Sequence, residues 1–302
     1  MILLSTFNGE RYIEEQLDSL LAQENVNLQI LVRDDGSKDN TRRILCKYAA
    51  LHPNIKLLLE DNCGAEESFN RLCRYAIEEY SNEYFAFCDQ DDVWDKDKLS
   101  IAMDRLKDIP SQVPQLYFSN LLLVDERLTP LGMMYQTGQV NLSKYMTLMQ
   151  IFTYGCTCVF NKKALELYCL CGKNLVYHDN WIFVLCQLFG EVVYDDDSHL
   201  KYRQHNSNLS EHKINGYAKF KKRISQLRDG KFGHKFEIIA NQLLHSYEAY
   251  LSDQDLKNLL YLISTYRSNI SSKIRLLFNR DYKTGNLSKD ISNRLRILIN
   301  HL

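Results

Sequence analysis

The chain has 302 residues, 45% of them apolar and 25% charged, the composition of a globular protein with room for one large domain or a domain and an appendage. No apolar run approaches the roughly 18–20 residues that span a bilayer, and WIFVLCQLF, among the longest, is about half that. The opening ILLSTFNGE has neither a basic region nor a cleavage site, so the expected location is the cytoplasm.

A formal net charge of −1 conceals an asymmetry. Tyr217–Leu302 carries 16 Lys and Arg against 7 Asp and Glu, and the rest of the chain 21 against 31. An acidic front with a basic tail predicts two parts with two jobs, a domain over 1–216 and a helical extension over 217–302. The nine cysteines are an odd set scattered through apolar segments, as at Cys46, Cys73, Cys88 and Cys186. Cys156-Thr-Cys158 and Cys169-Leu-Cys171 are spaced too tightly for structural zinc, so reduced, buried thiols are expected.

In chain order, Met1–Thr6 reads as a buried strand, Phe7–Glu10 as a turn and Glu10–Gln23 as an amphipathic helix. Leu28–Val32 is a second strand running into the loop Arg33-Asp34-Asp35-Gly36-Ser37, and a helix capped near Asp39-Asn40-Thr41 follows. Ile55–Leu59 is a third strand, closed by Asp61-Asn62-Cys63-Gly64, and Glu66–Tyr80 is helical. A fourth strand starts at Tyr84, reaches the acidic stretch Asp89-Gln90-Asp91-Asp92 and passes into a charged helix. Four strand–helix alternations predict an α/β fold with a mostly parallel sheet. In such a sheet STFN, DDGS, DNCG and DQDD gather along one edge, where a polar ligand binds. After Pro114 come strand-like Leu116–Asp125, a loop over Gly132–Asn141, a helical or irregular start at Tyr145, strand-like Tyr154–Asn161 and helical Lys162–Cys171. His178-Asp179-Asn180-Trp181 precedes a helix, Val192–Tyr194 is a strand, and the tail is helical. No internal repeat stands out.

Crowded carboxylates at a strand end repel one another unless a cation lies between them, and hard cations such as Mg²⁺ favour such oxygens. The alternative is an acidic loop that caps the next helix. A carboxylate of Asp34-Asp35 would accept the imide N–H of a pyrimidine, or else stabilise its own turn. Neither a G-x-G-x-x-G after the first strand nor a P-loop is present, which removes the usual support for a dinucleotide enzyme or a P-loop NTPase.

STFNGERYIEEQLDSLLAQ, VRDDGSKDNT and FCDQDDVWDKDKL, in this order and followed by HDNW and YRQH, resemble the family 2 glycosyltransferases of GT-A fold. The resemblance runs from Met1 to about Asn208 and is closest to the rhamnosyl- and related polysaccharide glycosyltransferases. Members usually carry several residues ahead of the first strand, which here begins at Met1. The resemblance implies that Ser5, Phe7 and Glu10 line base and ribose, that Asp35 holds a uracil or thymine ring, and that Asn62, Gly64 and Asn70 border the nucleotide. It gives Asp91 to a Mg²⁺ or Mn²⁺ ion, Asp89 to the ribose or the ion's surroundings, and Asp179 to the general base. Asp92 is left between supporting the acids and capping the next helix, and His205 between metal or pyrophosphate and a plain histidine.

The implied activity is inverting, metal-dependent transfer from dTDP-rhamnose or a UDP-hexose to a hydroxyl of a growing bacterial surface polysaccharide. The acceptor is expected to be lipid-linked, with no nucleic acid partner and the oligomeric state open. Two rivals stand beside it, a sugar nucleotidyltransferase and a binding module that has lost catalysis. The clusters AKFKKRISQLR and SSKIRLLFNR leave the tail two readings, peripheral contact with the inner face of the plasma membrane or helices packed on the catalytic domain.

Overall fold

The computed structural model describes residues 1–148, 150–172, 176–205, 234–279, 287–300 and 302. They divide into two units, Met1–Val140 with Phe152–Asn208, and Asn141–Ile151 with Leu209–Leu302. The expected boundary at 216/217 and the cluster AKFKKRISQLR lie outside the described residues.

The first unit is α/β. β1 (Ile2–Thr6) pairs in parallel with β2 (Ile30–Asp35) and β4 (Tyr84–Cys88), and β2 pairs in parallel with β3 (Ile55–Glu60). Helices α1 (Ile13–Leu21), α2 (Thr41–Leu51) and α3 (Ala65–Glu79) are the crossovers. Ile2-Leu3-Leu4, Ile30-Leu31-Val32 and Phe85-Ala86-Phe87 are buried throughout, as in a sheet covered on both faces. The later elements are β5 (Val93–Trp94), α4 (Lys98–Leu106), β6 (Gln115–Val124), β7 (Pro130–Met133), β8 (Val159–Asn161), α5 (Lys162–Cys169), α6 (His178–Phe189) and β9 (Glu191–Arg203). The sheet runs β3-β2-β1-β4-β8-β6-β9-β5, with β7 paired to β6. β8 is antiparallel to both of its neighbours, and β6 and β9 are parallel.

Several boundaries differ from the expectation. β2 does not stop at Val32 but continues through Arg33, Asp34 and Asp35, all buried. The charges stay inside because they are paired: Arg33 donates to Asp35 Oδ1 at 2.6 Å, to Glu60 Oε2 at 3.1 Å and to the carbonyl of Asp61 at 3.0 Å. Part of the expected loop after Val124 is β7, and the chain before β8 is a 3₁₀ turn at Gly155–Thr157. The strand near Val192 is β9, 13 residues long, whose far end holds Tyr202 and Arg203. The thiols are all free, but Cys46 is exposed and Cys63 and Cys169 half-buried, so not all are core.

The second unit is helical: a 3₁₀ turn (Lys144–Leu148), α7 (Lys235–Ser246), α8 (Gln254–Thr265), α9 (Ile270–Phe278) and α10 (Leu287–Leu298). Asp253 caps α8, accepting from the backbone N–H of Asp255 and Leu256, and also accepts from Tyr145 Oη at 3.0 Å. Buried Tyr247, Leu259, Leu260, Ile263 and Tyr266 form its core.

Candidate active site

The four strand-end loops do meet. Gln90, after β4, accepts from Phe7 N at 2.8 Å and donates to Phe7 O at 3.1 Å, which ties the acidic loop to the turn after β1. That turn is joined to the loop after β2 by Asn8 N to Ser37 Oγ, Lys38 N to Asn8 Oδ1 and Gly9 N to Thr41 Oγ1. Gly36 stands at φ +81°, and a Cβ there would lie 2.7 Å from Asn62 N, so the turn after β2 needs glycine on both counts. A hollow of about 420 Å³ lined by Asn27, Gln29, Tyr80 and Asn82 lies at the other ends of β2 and β4, away from these loops.

On this edge Phe7 is exposed, and Ser5 is half-buried with its hydroxyl 2.6 Å from that of Ser68. Glu10 accepts from the backbone and side chain of Asn40, both at 2.8 Å. Asp35 faces inward. Its Oδ1 receives Arg33 and Cys63 N, its Oδ2 receives Gly64 N at 2.9 Å, and these bonds hold its carboxyl below the usual range despite burial. The carboxylate thereby fixes the Asn62–Gly64 loop, and Asn62 Nδ2 donates to Asp35 O. Asn70 is buried on α3, where it accepts from Tyr168 Oη at 2.5 Å, so it joins α3 to α5.

The acids crowd at the end of β4. Burial and the charges of Asp91 and Asp179 push the Asp89 carboxyl up to about 7. Burial, with Asp91 and Asp89 behind it, raises Asp92 well above its ordinary value. Asp92 Oδ1 accepts from Arg203 N at 3.2 Å, while Oδ2 is buried beside the Cys156 thiol. Asp89, Asp92 and Cys156 each bring one potential ligand atom within 4.8 Å of the others. Asp91 Oδ2 lies 2.8 Å from His205 Nε2, and the His205 ring stacks on Tyr12 with centroids 5.1 Å apart.

Asp179 is near enough for its charge to bear on Asp89. Its helix begins at His178 rather than at Trp181, so Asp179 lies in the first turn of α6 and is not the cap, which is Tyr177. Its Oδ1 accepts from the backbone and side chain of Asn180. The turn is anchored by His178, whose ring stacks on Phe69 at 3.7 Å and meets Phe87 edge-on at 4.6 Å. Burial pushes this imidazole down to about 4, so it packs as a neutral ring. Gly155 makes the room, since a Cβ there would lie 2.5 Å from His178 Nε2.

Four other residues were given no role at this site by sequence reading. Buried Arg203 donates to the carbonyls of Asp91 at 2.9 Å and Glu126 at 2.7 Å, pairs with Glu15, and lies over the Tyr12 ring at 4.6 Å. Its place in YRQH, beside His205, is the one signal the sequence offered. Tyr12 looked like one more apolar position on a helical face. Lys98 is buried over the Trp94 ring at 3.7 Å, and desolvation pushes its ammonium down to about 8. Cys156 lay in what read as an ordinary strand.

The sequence model of glycosyl transferase family 2 matches residues 1–167. The chain belongs to this family. A dTDP-rhamnosyl transferase, RfbG of Shigella flexneri, is 30% identical over 259 residues, which are 80% of this chain and 84% of that protein. TuaG of Bacillus subtilis (strain 168), named for teichuronic acid biosynthesis, is 36% identical over 104 residues, 34% of this chain and 40% of that one. In structure, residues 1–349 of S. aureus TarS superpose with a TM-score of 0.59 at 17% identity, covering 99% of this chain and 80% of that one, a likeness of fold. This family 2 glycosyltransferase is therefore an enzyme class apart from the sugar nucleotidyltransferases that share its strand-end acids. Among its described residues no helix is long and apolar enough to cross a membrane.

Proposed function

We propose that this glycosyltransferase transfers a sugar, with inversion, from a nucleoside-diphosphate donor to a hydroxyl of a growing bacterial surface polysaccharide. dTDP-rhamnose is the first donor to test, because RfbG is named for it, and UDP-hexoses come next. The observation that supports the reading is Asp91 paired with His205 at the end of β4, next to Asp89, on which the charge of Asp179 also bears.

A divalent cation fits this edge. Burial, and behind it the charges of neighbouring carboxylates, raises the carboxyls of Asp89 and Asp92, and Asp92 Oδ2 is buried beside the Cys156 thiol, a cluster that a cation would relieve. Carboxylate oxygens suit Mg²⁺ or Mn²⁺. Asp91 and His205 would hold the ion, with Asp89 beside it; when bound it stabilises the charge that grows on the leaving diphosphate.

The chain's own groups do the rest. Phe7, Ser5 and Glu10 border base and ribose, and Asp35 acts through the Asn62–Gly64 loop that it ties down. Arg203 fixes the backbone of Asp91, so the acid loop is shaped before the donor arrives. Asp179 takes the proton of the acceptor hydroxyl as its oxygen bonds to the anomeric carbon and the carbon–oxygen bond to the diphosphate breaks. A single displacement on the face opposite the leaving group inverts that centre.

Two substitutions test it. Asp91→Asn should leave the protein folded and lower turnover at least about 10²-fold, with a matching loss in excess EDTA. Asp179→Asn should keep donor affinity and lower transfer by roughly 10²–10⁴-fold. Full activity in EDTA removes the metal, loss of donor affinity in Asp179→Asn moves that residue out of the base's role, and retention at the anomeric carbon by product NMR rules out direct displacement.

A further inference from the structure

Contrary to the expectation of a repeat-free chain, two ten-residue segments of the tail match. ISSKIRLLFN at 270–279 and ISNRLRILIN at 291–300 share the same residue at five of ten positions, and the other five are close in kind. They form most of α9 and α10. Each helix buries one narrow side, Ser272 and Leu276 in α9, Asn293 and Ile297 in α10. The opposite side, at positions i, i+4 and i+8, is apolar and exposed: Ile270 at 72%, Ile274 at 50% and Phe278 at 76% in the first copy, Ile291, Leu295 and Ile299 in the second. Helices that pack back on a core expose their polar side, so this is the reverse of the usual pattern.

Charge identifies the occupant. In both copies the residues three and five after the leading isoleucine flank the stripe and are basic, Lys273 and Arg275, then Arg294 and Arg296. Lys273 also donates to the carbonyl of Leu298 at 2.7 Å, which joins the flank of one stripe to the end of the other. Among the described side chains of the two helices only Asp290 is acidic. A second copy set against this surface by two-fold symmetry would bring arginine against arginine. A bilayer bearing anionic headgroups takes both parts, apolar stripe into the acyl boundary and guanidinium groups to the phosphates.

We infer that α9 and α10 are a duplicated docking element for an anionic lipid surface. This is independent of the donor assigned above and gives the chain a place to meet a lipid-linked acceptor. The test is flotation of the full chain with vesicles of phosphatidylcholine alone and of phosphatidylcholine mixed with phosphatidylglycerol. The full chain should float with the mixed vesicles only, and less in raised salt. Ile274→Gln/Phe278→Gln/Leu295→Gln should weaken binding at least about tenfold. Arg275→Glu/Arg294→Glu should weaken it by more than the roughly fivefold per arginine expected for plain charge removal. All five side chains are exposed, so thermal midpoints should be unchanged. No flotation of the wild type, or equal flotation of the variants, overturns the inference. So does a wild-type dimer in sedimentation that the glutamine variant dissolves, which would give the stripe to a second copy. Hydrolysis of the nucleotide sugar without vesicles should be the same in every variant, so failure at the membrane and failure of the catalytic reading are told apart.

Discussion

Asp89 carries the sharpest consequence at the scale of single residues. It keeps its proton up to about 7 in the fold, whereas an ordinary carboxyl loses it near 3.8. Across that window the cation-free fold binds a proton that the unfolded chain has released, so its stability falls as pH rises through it. A cation at Asp89 must displace the same proton. Mn²⁺ affinity should therefore climb with pH, by up to about tenfold per unit between about pH 5 and 7, and level off above. Calorimetric titration in buffers of different ionisation heat checks both the slope and the proton released. A flat profile with no proton release would separate Asp89 from the cation.

At the scale of elements, the first turn of α6 is positioned by packing. His178 is wedged between Phe69 and Phe87, and Gly155 is the wall with no side chain to obstruct it. Gly155→Ala would put a methyl 2.5 Å from the ring and force the turn that carries Asp179 to shift. Overpacking of this kind costs about 1–3 kcal/mol, and a displacement of the proposed base near an ångström costs up to about 10²-fold in rate. The expected outcome is a lowered melting temperature with retained secondary structure, and a fall in kcat larger than any change in donor KM. Unchanged kcat would show that this contact does not place Asp179.

For the whole molecule, the edge proposed for the donor exists only as four loops from four strands held by hydrogen bonds between them. A ligand that bridges them should stabilise the fold by mass action. A donor at a hundredfold excess over its Kd contributes about 2.7 kcal/mol, a rise of several degrees in the melting temperature. In a panel with Mn²⁺, dTDP-rhamnose should give the largest shift, UDP-glucose and UDP-galactose smaller ones. A larger shift from a UDP-hexose would replace the donor, and equal shifts with and without Mn²⁺ would detach the donor from the metal.

The alternation of strand and helix, the carboxylate edge and the family were legible in the sequence because they rest on local periodicity and on short motifs at strand ends. Asp89, Asp91 and Asp179 were named in the sequence through the motifs FCDQDD and HDNW that carry the family resemblance. What depended on distant pairing was not legible. Arg33-Asp34-Asp35 read as a loop because charges rarely stay in a buried strand, and here partners distant in sequence, Glu60 and Asp61 beside β3 and the backbone of Cys63 and Gly64, offset the cost. Tyr12, Asp91 and the Arg203–His205 stretch are far apart in sequence and become one cluster only when β9 returns beside the β4 loop. The duplicated stripe was present in the sequence all along. Periodicity shows that a helix has an apolar side, but which side is buried is decided by what packs against it, and here the tertiary structure left the apolar side outward.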